Sequence, residues 1–253
     1  MAATVVALGD SVTVGVGDIG VPAGWAAHLS FALGAAEFTN VARLGARARD
    51  VSGIQAAVAI GRRPQLATLL VGGNDVLRGD FSAQDVASHV DQTVAGLRRV
   101  GADVAVVLLH DPRLTLPGPR LIREVLGERA AAVNDAIRAR VAGEPRVALI
   151  DPQRSDFTPK RQAWSIDRLH PSAAGHRALA AMALEALTDL GWRAQHPISP
   201  PSGPQPSGWH RAWWLTRYGT PWFAKRSRDL LPELACVCWE HRRRRRLTAC
   251  ASP

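Results

Sequence analysis

Four short apolar runs punctuate the chain, at residues 4–8, 67–71, 104–109 and 146–150. Each is rich in β-branched residues and too short for a helix, so each predicts a buried strand. A less apolar run at 37–41 predicts a fifth. Between them the spacing turns helical. Val51, Ile54 and Val58 make one stripe, Val86, Val90, Val94 and Leu97 a second, and Ile122, Leu126, Val133, Ile137 and Val141 a third. Each is expected to face a sheet. The last helix of this series opens at Pro171-Ser172, a cap signal, and carries Leu179, Met182, Leu187 and Leu190 on one face before Gly191. Strand-helix alternation predicts an α/β domain with a parallel sheet covered on both faces. Chemistry in such folds sits beyond the C-terminal ends of the strands.

The alternation stops at Trp192, which divides the chain into a domain at 1–192, a Pro-rich linker at 193–208 and an extension at 209–253. With 253 residues, 47% hydrophobic and 21% charged, the chain has the makeup of a globular protein with an appendage. The formal net charge of +9 is unevenly placed: residues 1–192 hold 20 Lys and Arg against 19 Asp and Glu, and residues 193–253 hold 11 against 3. The body is nearly neutral, so no nucleic-acid partner is expected. Three late cysteines, Cys236, Cys238 and Cys250, exclude a disulfide scaffold. The first residues lack a secretory leader's basic and apolar regions, and no apolar stretch approaches the roughly 20 residues that span a bilayer. A cytoplasmic location is the expectation.

Polar, glycine-containing turns follow the first three strands in space: Gly9-Asp10-Ser11 after the first, the segment from Asn40 to Gly45 after the second, and Gly72-Gly73-Asn74-Asp75 after the third. Far downstream, Asp167 and His170 share one loop just before the last helix. A serine hydroxyl needs a base to become a nucleophile, and Ser11, leaving a buried strand, is exposed to meet one. His170 is the expected base. Asp167, three residues earlier, can hold Nδ1 and aim Nε2 at the hydroxyl.

These four blocks resemble the SGNH hydrolases, the GDSL family of esterases and acylhydrolases, over about residues 4–190. Ser11, Gly45, Asn74 and His170 stand in the family's order, with Val12 replacing the usual leucine of the first block. The resemblance implies a three-layer α/β/α, flavodoxin-like fold with five parallel strands in the order 2-1-3-4-5. It also implies an oxyanion hole built from the backbone N–H groups of Ser11 and Gly45 and the side-chain amide of Asn74. The implied activity is cleavage of an ester or thioester of a small acylated substrate through an acyl-enzyme, with no cofactor or metal. An acyltransferase using the same triad is the alternative, and a flavodoxin-like nucleotide-binding module a more distant one.

Each block has a plainer reading. Gly-Asp-Ser and Gly-Gly-Asn-Asp are ordinary turn sequences, and Asp-x-x-His before Pro-Ser serves as a helix-start loop. It is their conjunction, in order and at strand ends, that points to catalysis. Asp10 and Trp164 are candidate substrate contacts, Trp164 serving equally well as packing. The segment Gly15-Val-Gly17-Asp-Ile-Gly20, with Glu37 downstream, matches a dinucleotide fingerprint, but begins six residues past the strand. There is no G-x-S-x-G elbow. His110-Asp111 is expected at the rim, and His28 and His89 as ordinary core or surface residues. His176 follows His170 by six residues rather than the four of a helical metal pair, and Cys236-Val-Cys238 lacks further ligands.

The extension carries five of the eight tryptophans and ends in the arginines of 242–246. So much aromatic surface predicts that 209–234 packs on the body. The arginines are expected either to be solvated or to touch an anionic membrane surface peripherally.

Overall fold

The computed structural model describes residues 3–18 and 23–198 and, beyond them, Ala235, Cys236, Trp239 and Arg243. Strand β1 (Thr4–Gly9) is buried from its second residue onward. It leads through the single turn α1 (Ser11–Val14) and α2 (Trp25–Ala32) to β2 (Glu37–Asn40). A helical stretch in three pieces follows: α3 (Ala48–Asp50), a π turn (Val51–Gln55) and α4 (Ala56–Gly61). Strand β3 (Leu66–Leu70), α5 (Ala83–Arg99), β4 (Asp103–Val107), α6 (Arg120–Val141), β5 (Val147–Ile150) and α7 (Ala173–Thr188) complete the series.

The five strands form one parallel sheet in the order β2-β1-β3-β4-β5. Every predicted strand is present with ends moved by at most two residues. Alternate residues serve two cores. Val6, Leu8, Leu69 and Val106 face the stripe Val86, Val90, Val94 and Leu97 of α5 and Val133 and Ile137 of α6. Val5, Ala7, Leu70 and Val107 face Trp25 and Leu29 of α2 and Leu179 and Leu187 of α7. Burial on both faces is why the strands read as unbroken apolar runs. Ser172 caps α7 as expected, its hydroxyl accepting from Gly175 N at 3.2 Å.

One predicted stripe is corrected. Val51 is buried, but Ile54 and Val58 are 61% and 44% exposed, while Gln55 is 2% exposed. The π turn adds a residue to one helical turn and rotates the face that meets the sheet.

The chain past α7 stays on the body at first. Trp192 Nε1 donates to the buried Asp103 Oδ2 at 2.8 Å. Gln195 N and His196 N both donate to Ala32 O, at 2.7 and 3.0 Å, satisfying a carbonyl at the end of α2. His196 also stacks on Phe31 with ring centroids 5.1 Å apart. The first residues of the predicted linker thus lie against α2. The rest of the linker and nearly all of the extension, including the expected packing of 209–234, lie outside the described residues. Among the described residues no helix is long and apolar enough to cross a membrane.

Candidate active site

The strand order reverses at β1, whose successors lie on opposite sides of it, so a crevice is expected between the C-terminal ends of β1 and β3. Ser11 lies at that end as the first residue of α1. Its own N–H belongs to a helix's first turn, where backbone donors have no acceptor within the helix. Just before it, Gly9 has φ +148°, and an added Cβ there would collide with Leu70 O and lie 2.6 Å from Thr13 Oγ1. Only a glycine lets β1 turn this closely against β3. Asp10 caps α1, its Oδ1 accepting from Val12 N at 3.0 Å.

The loop before α7 delivers the partner groups. Arg168 adopts a left-handed conformation, φ +60°, between Asp167 and His170, tightening the turn at a cost on the order of 1 kcal/mol. Asp167 Oδ1 accepts from Leu169 N and His170 N, both at 3.0 Å, and from Ser165 Oγ at 2.7 Å. Its other oxygen accepts from His170 Nδ1 at 2.7 Å. Burial raises the Asp167 pKa, but these donors, His170 foremost, outweigh it and bring the group down to about 2. An ionised carboxylate can only accept, so Nδ1 holds a proton, and in the neutral imidazole that leaves the lone pair on Nε2. Ser11 Oγ lies 2.8 Å from that Nε2, closing a Ser11–His170–Asp167 chain across 159 residues of sequence.

The second and third blocks are wired to the first and to each other. Asn40 Nδ2 donates to Thr13 O at 2.8 Å, tying the exit of β2 to α1. Gly45 adopts φ +74°. Asn74 Nδ2 donates one hydrogen to Ala46 O at 3.1 Å, leaving the amide's second hydrogen for another acceptor. Asp75 is buried and accepts from Arg47 Nε at 3.1 Å and Ala48 N at 3.0 Å, and Arg47 reaches on to Asp80 at 2.9 Å. Burial, its largest influence, lifts the Asp75 pKa despite these donors.

The two candidate substrate contacts are both largely enclosed. Asp10 is 3% exposed and its carboxyl is pushed up to about 6, chiefly by burial, with Asp75 adding to the effect. Trp164 is buried, donates from Nε1 to Thr158 O at 2.6 Å and lies against His110 with centroids 4.0 Å apart. His110 is itself pushed down to about 4, by burial above all, and so is neutral near pH 7. A cavity of about 280 Å³ lies beside the Gly45 loop, between the 40–43 segment and Ile54, Gln55 and Val58.

The dinucleotide-like segment has other employment. Gly15 caps α1, and Gly17 packs so tightly under Pro171 that a Cβ would collide with its carbonyl oxygen. Gly20 lies outside the described residues. Glu37 is exposed at the start of β2, paired with Arg62 at 3.3 Å and at the opposite end of the sheet from Ser11. His28 Nε2 is 2.7 Å from the buried Asp18, and His176 bridges Trp25 N and Val16 O. Among the described residues no three His, Cys, Asp or Glu side chains are grouped to hold a metal.

Several residues at the site escape a reading of motifs. Gln55 clamps Gly9, with Gly9 N donating to Oε1 at 2.8 Å and Nε2 donating to Gly9 O at 2.9 Å. Arg47, Asp75 and Arg168 hold loops in place. Only Asp75 stands in a motif block, and its role there gives no sign in the block, because each of these residues is defined by a partner distant in sequence or by a single dihedral angle.

The model of the GDSL-like lipase/acylhydrolase family matches residues 7–178. Among solved structures, TesA is similar at 23% identity and a TM-score of 0.57, covering 74% of this chain and 99% of its own. The lipase Lip_vut3 from a goat rumen metagenome is 20% identical with a TM-score of 0.55, covering 76% and 98%. The psychrotrophic esterase EstA from Pseudoalteromonas sp. is 16% identical with a TM-score of 0.57, covering 74% and 98%. No curated protein matches the sequence.

Proposed function

The chain belongs to the GDSL-like lipase/acylhydrolase family, and from that premise we propose that it is a serine hydrolase that cleaves an ester or thioester of a small acylated substrate through an acyl-enzyme on Ser11. The observation that carries this reading is the continuous hydrogen-bond chain from Ser11 Oγ through His170 to Asp167, at 2.8 and 2.7 Å. Nε2 of His170 takes the hydroxyl proton as Oγ attacks the acyl carbon. The negative oxygen that results is met by the N–H groups of Ser11 and Gly45 and by the free hydrogen of the Asn74 amide. The imidazolium then returns its proton to the departing alcohol or thiol, and Asp167, ionised throughout, stabilises the imidazolium meanwhile. Water, deprotonated by the same nitrogen, releases the acid. If an alcohol or amine takes the water's place, the same steps make an acyltransferase.

A fluorophosphonate followed by peptide mass mapping tests the assignment, because it reports an activated serine whatever the substrate. Ser11 is expected to be the labelled residue, and Ser11→Ala to remove hydrolysis of short p-nitrophenyl esters. Retained activity in a folded Ser11→Ala protein would falsify the mechanism.

For the extension, the reading is peripheral contact with an anionic membrane surface. Trp239 is 63% exposed, with the Arg243 guanidinium 5.6 Å from its ring centre. An exposed ring next to a cation suits a boundary that is apolar below and anionic above.

A further inference from the structure

We propose that Gln55 is a positioning residue for the nucleophile, its side-chain amide standing in for a strand neighbour at the point where β1 loses one. Strand β2 pairs with β1 only as far as Asn40 opposite Ala7, two residues before Gly9. On the other side β3 continues to pair, with Leu70 opposite Gly9. Past Asn40 the chain still sends Val41 N to Ala7 O at 2.9 Å and Arg43 N to Gly9 O at 3.2 Å, but it supplies no acceptor for Gly9 N. Gln55 supplies it, accepting that N–H at 2.8 Å and donating to the carbonyl of the same residue at 2.9 Å. Both bonds are buried, out of reach of competing water. A planar amide bonded to both the N–H and the C=O of one residue reproduces the paired bonds of a sheet and fixes the peptides on either side of Gly9 in direction as well as in position.

The helix is also modified here. In an uninterrupted α-helix after Val51, the inward face would include Ile54 and Val58 beside Gln55. With the π turn over Val51–Gln55, Gln55, Ala56 and Ala59 are inward, at 2%, 3% and 0% exposure, and Ile54 and Val58 are out. Two apolar side chains are thus exposed while a polar one stays buried. Turns of this type are frequent at functional sites.

What the clamp controls lies two residues on. Gly9 precedes Asp10 and Ser11, and the direction of the peptide from Gly9 to Asp10 sets where α1 begins. It therefore sets both the aim of Ser11 Oγ at His170 Nε2 and the direction of the Ser11 N–H. An error of about 1 Å in such an alignment costs on the order of 100-fold in rate.

The inference rests on Ser11 being the nucleophile, and the test separates the two. Gln55→Met fills the same space without the bonds, and Gln55→Glu retains them only when protonated, since the carboxylic acid can accept from Gly9 N and donate to Gly9 O but the carboxylate cannot donate. Melting temperature, kcat and KM for p-nitrophenyl acetate, and the rate of Ser11 labelling by a fluorophosphonate are measured for each. Gln55→Met is expected to remain folded with kcat and labelling rate lower by about 10- to 100-fold and KM within about twofold. For Gln55→Glu, kcat relative to wild type at the same pH is expected to fall as pH rises, whereas the ratio for Gln55→Met stays flat. A folded Gln55→Met with kcat within twofold of wild type, or with KM alone altered, overturns the inference. If Gln55→Met fails to fold, the Gln55→Glu ratio decides: a ratio that does not change with pH overturns it. Activity retained in Ser11→Ala would instead overturn the nucleophile assignment, and this inference with it.

Discussion

Asp75 and Arg47 join the two loops that carry Asn74 and Gly45. The carboxylate accepts Arg47 Nε at 3.1 Å with one oxygen and Ala48 N at 3.0 Å with the other. The side chains are 5% and 14% exposed, so the Asp75 carboxylate is shielded from water. Asp75→Ala strands the Arg47 Nε–H and the Ala48 N–H, while Asp80 keeps the far end of the guanidinium. The substitution is expected to destabilise the fold by about 2 kcal/mol in urea titration. Asp75→Asn keeps an acceptor for Ala48 N and should lose roughly half as much. A cost under about 0.5 kcal/mol for Asp75→Ala would mean that the pair does not join the loops.

On the proposed mechanism, Asn74 as oxyanion donor and Asp167 as orienting acid should separate kinetically. Asn74→Ala is expected to lower kcat by about 10² to 10³ with KM nearly unchanged, since its amide acts once charge develops on the oxygen. Asp167→Asn should cost about 10⁴, because an amide can leave the imidazole in the wrong tautomer. A rise in KM alone for Asn74→Ala would reassign it to substrate binding.

Two aspartates give stability opposite dependences on pH. Burial, the leading cause, raises Asp10 to about 6 from an ordinary 3.8. The native protein therefore holds this proton after the unfolded chain has released it, and the stability linked to Asp10 is full below pH 3.8 and declines as pH rises towards 6. Asp167 is lowered to about 2 against the opposing effect of burial, so its contribution is present above pH 3.8 and lost as pH falls towards 2. Relative to wild type, Asp10→Asn should gain up to about 2 to 3 kcal/mol between pH 4 and 6. For Asp167→Asn the deficit should shrink between pH 4 and 2. Guanidinium melts across these ranges check both, and parallel profiles for Asp10→Asn and wild type would contradict the first.

Gly17 lies under the loop that carries His170. Its φ of +98° and the collision of a Cβ with Pro171 O leave no room for any side chain. Gly17→Ala is expected to cost about 2 kcal/mol or more and to slow labelling of Ser11, because Pro171 follows His170 directly. Unchanged melting temperature and labelling would show that the loop yields without effect on the base.

The extension can be tested apart from the chemistry. Truncation after Ile198 keeps the bonds from Gln195 and His196 to Ala32, and should leave turnover of a soluble ester intact. Co-sedimentation of the full chain with phosphatidylserine vesicles should weaken with added salt and vanish when the arginines at 242–246 become serines. Equal partitioning of the two proteins would leave a solvated end.

The strands, their order of appearance and the four chemical blocks were legible because each depends on neighbours in sequence. An apolar run of five residues declares burial on both faces; Ser11 and Asn74 stand out by residue type in the turns after such runs, and Asp167 and His170 by their spacing just before a helix start. The phase of the helix after Val51 was not legible. Val51, Ile54, Gln55 and Val58 share one face of a 3.6-residue period, yet of the four only Val51 and the polar Gln55 are inside. The π turn turns Ile54 and Val58 out, and the Gly9 N–H that Gln55 accepts lacks a strand partner only once β1 and β3 are side by side and β2 has turned away. The same holds for Asp75 with Arg47 and for the left-handed Arg168. Local patterns carry the hydrophobic free energy that assembles the layers. The polar contacts of Gln55 with Gly9 and of Asp75 with Arg47 join residues tens of positions apart, and tertiary structure alone brings those together.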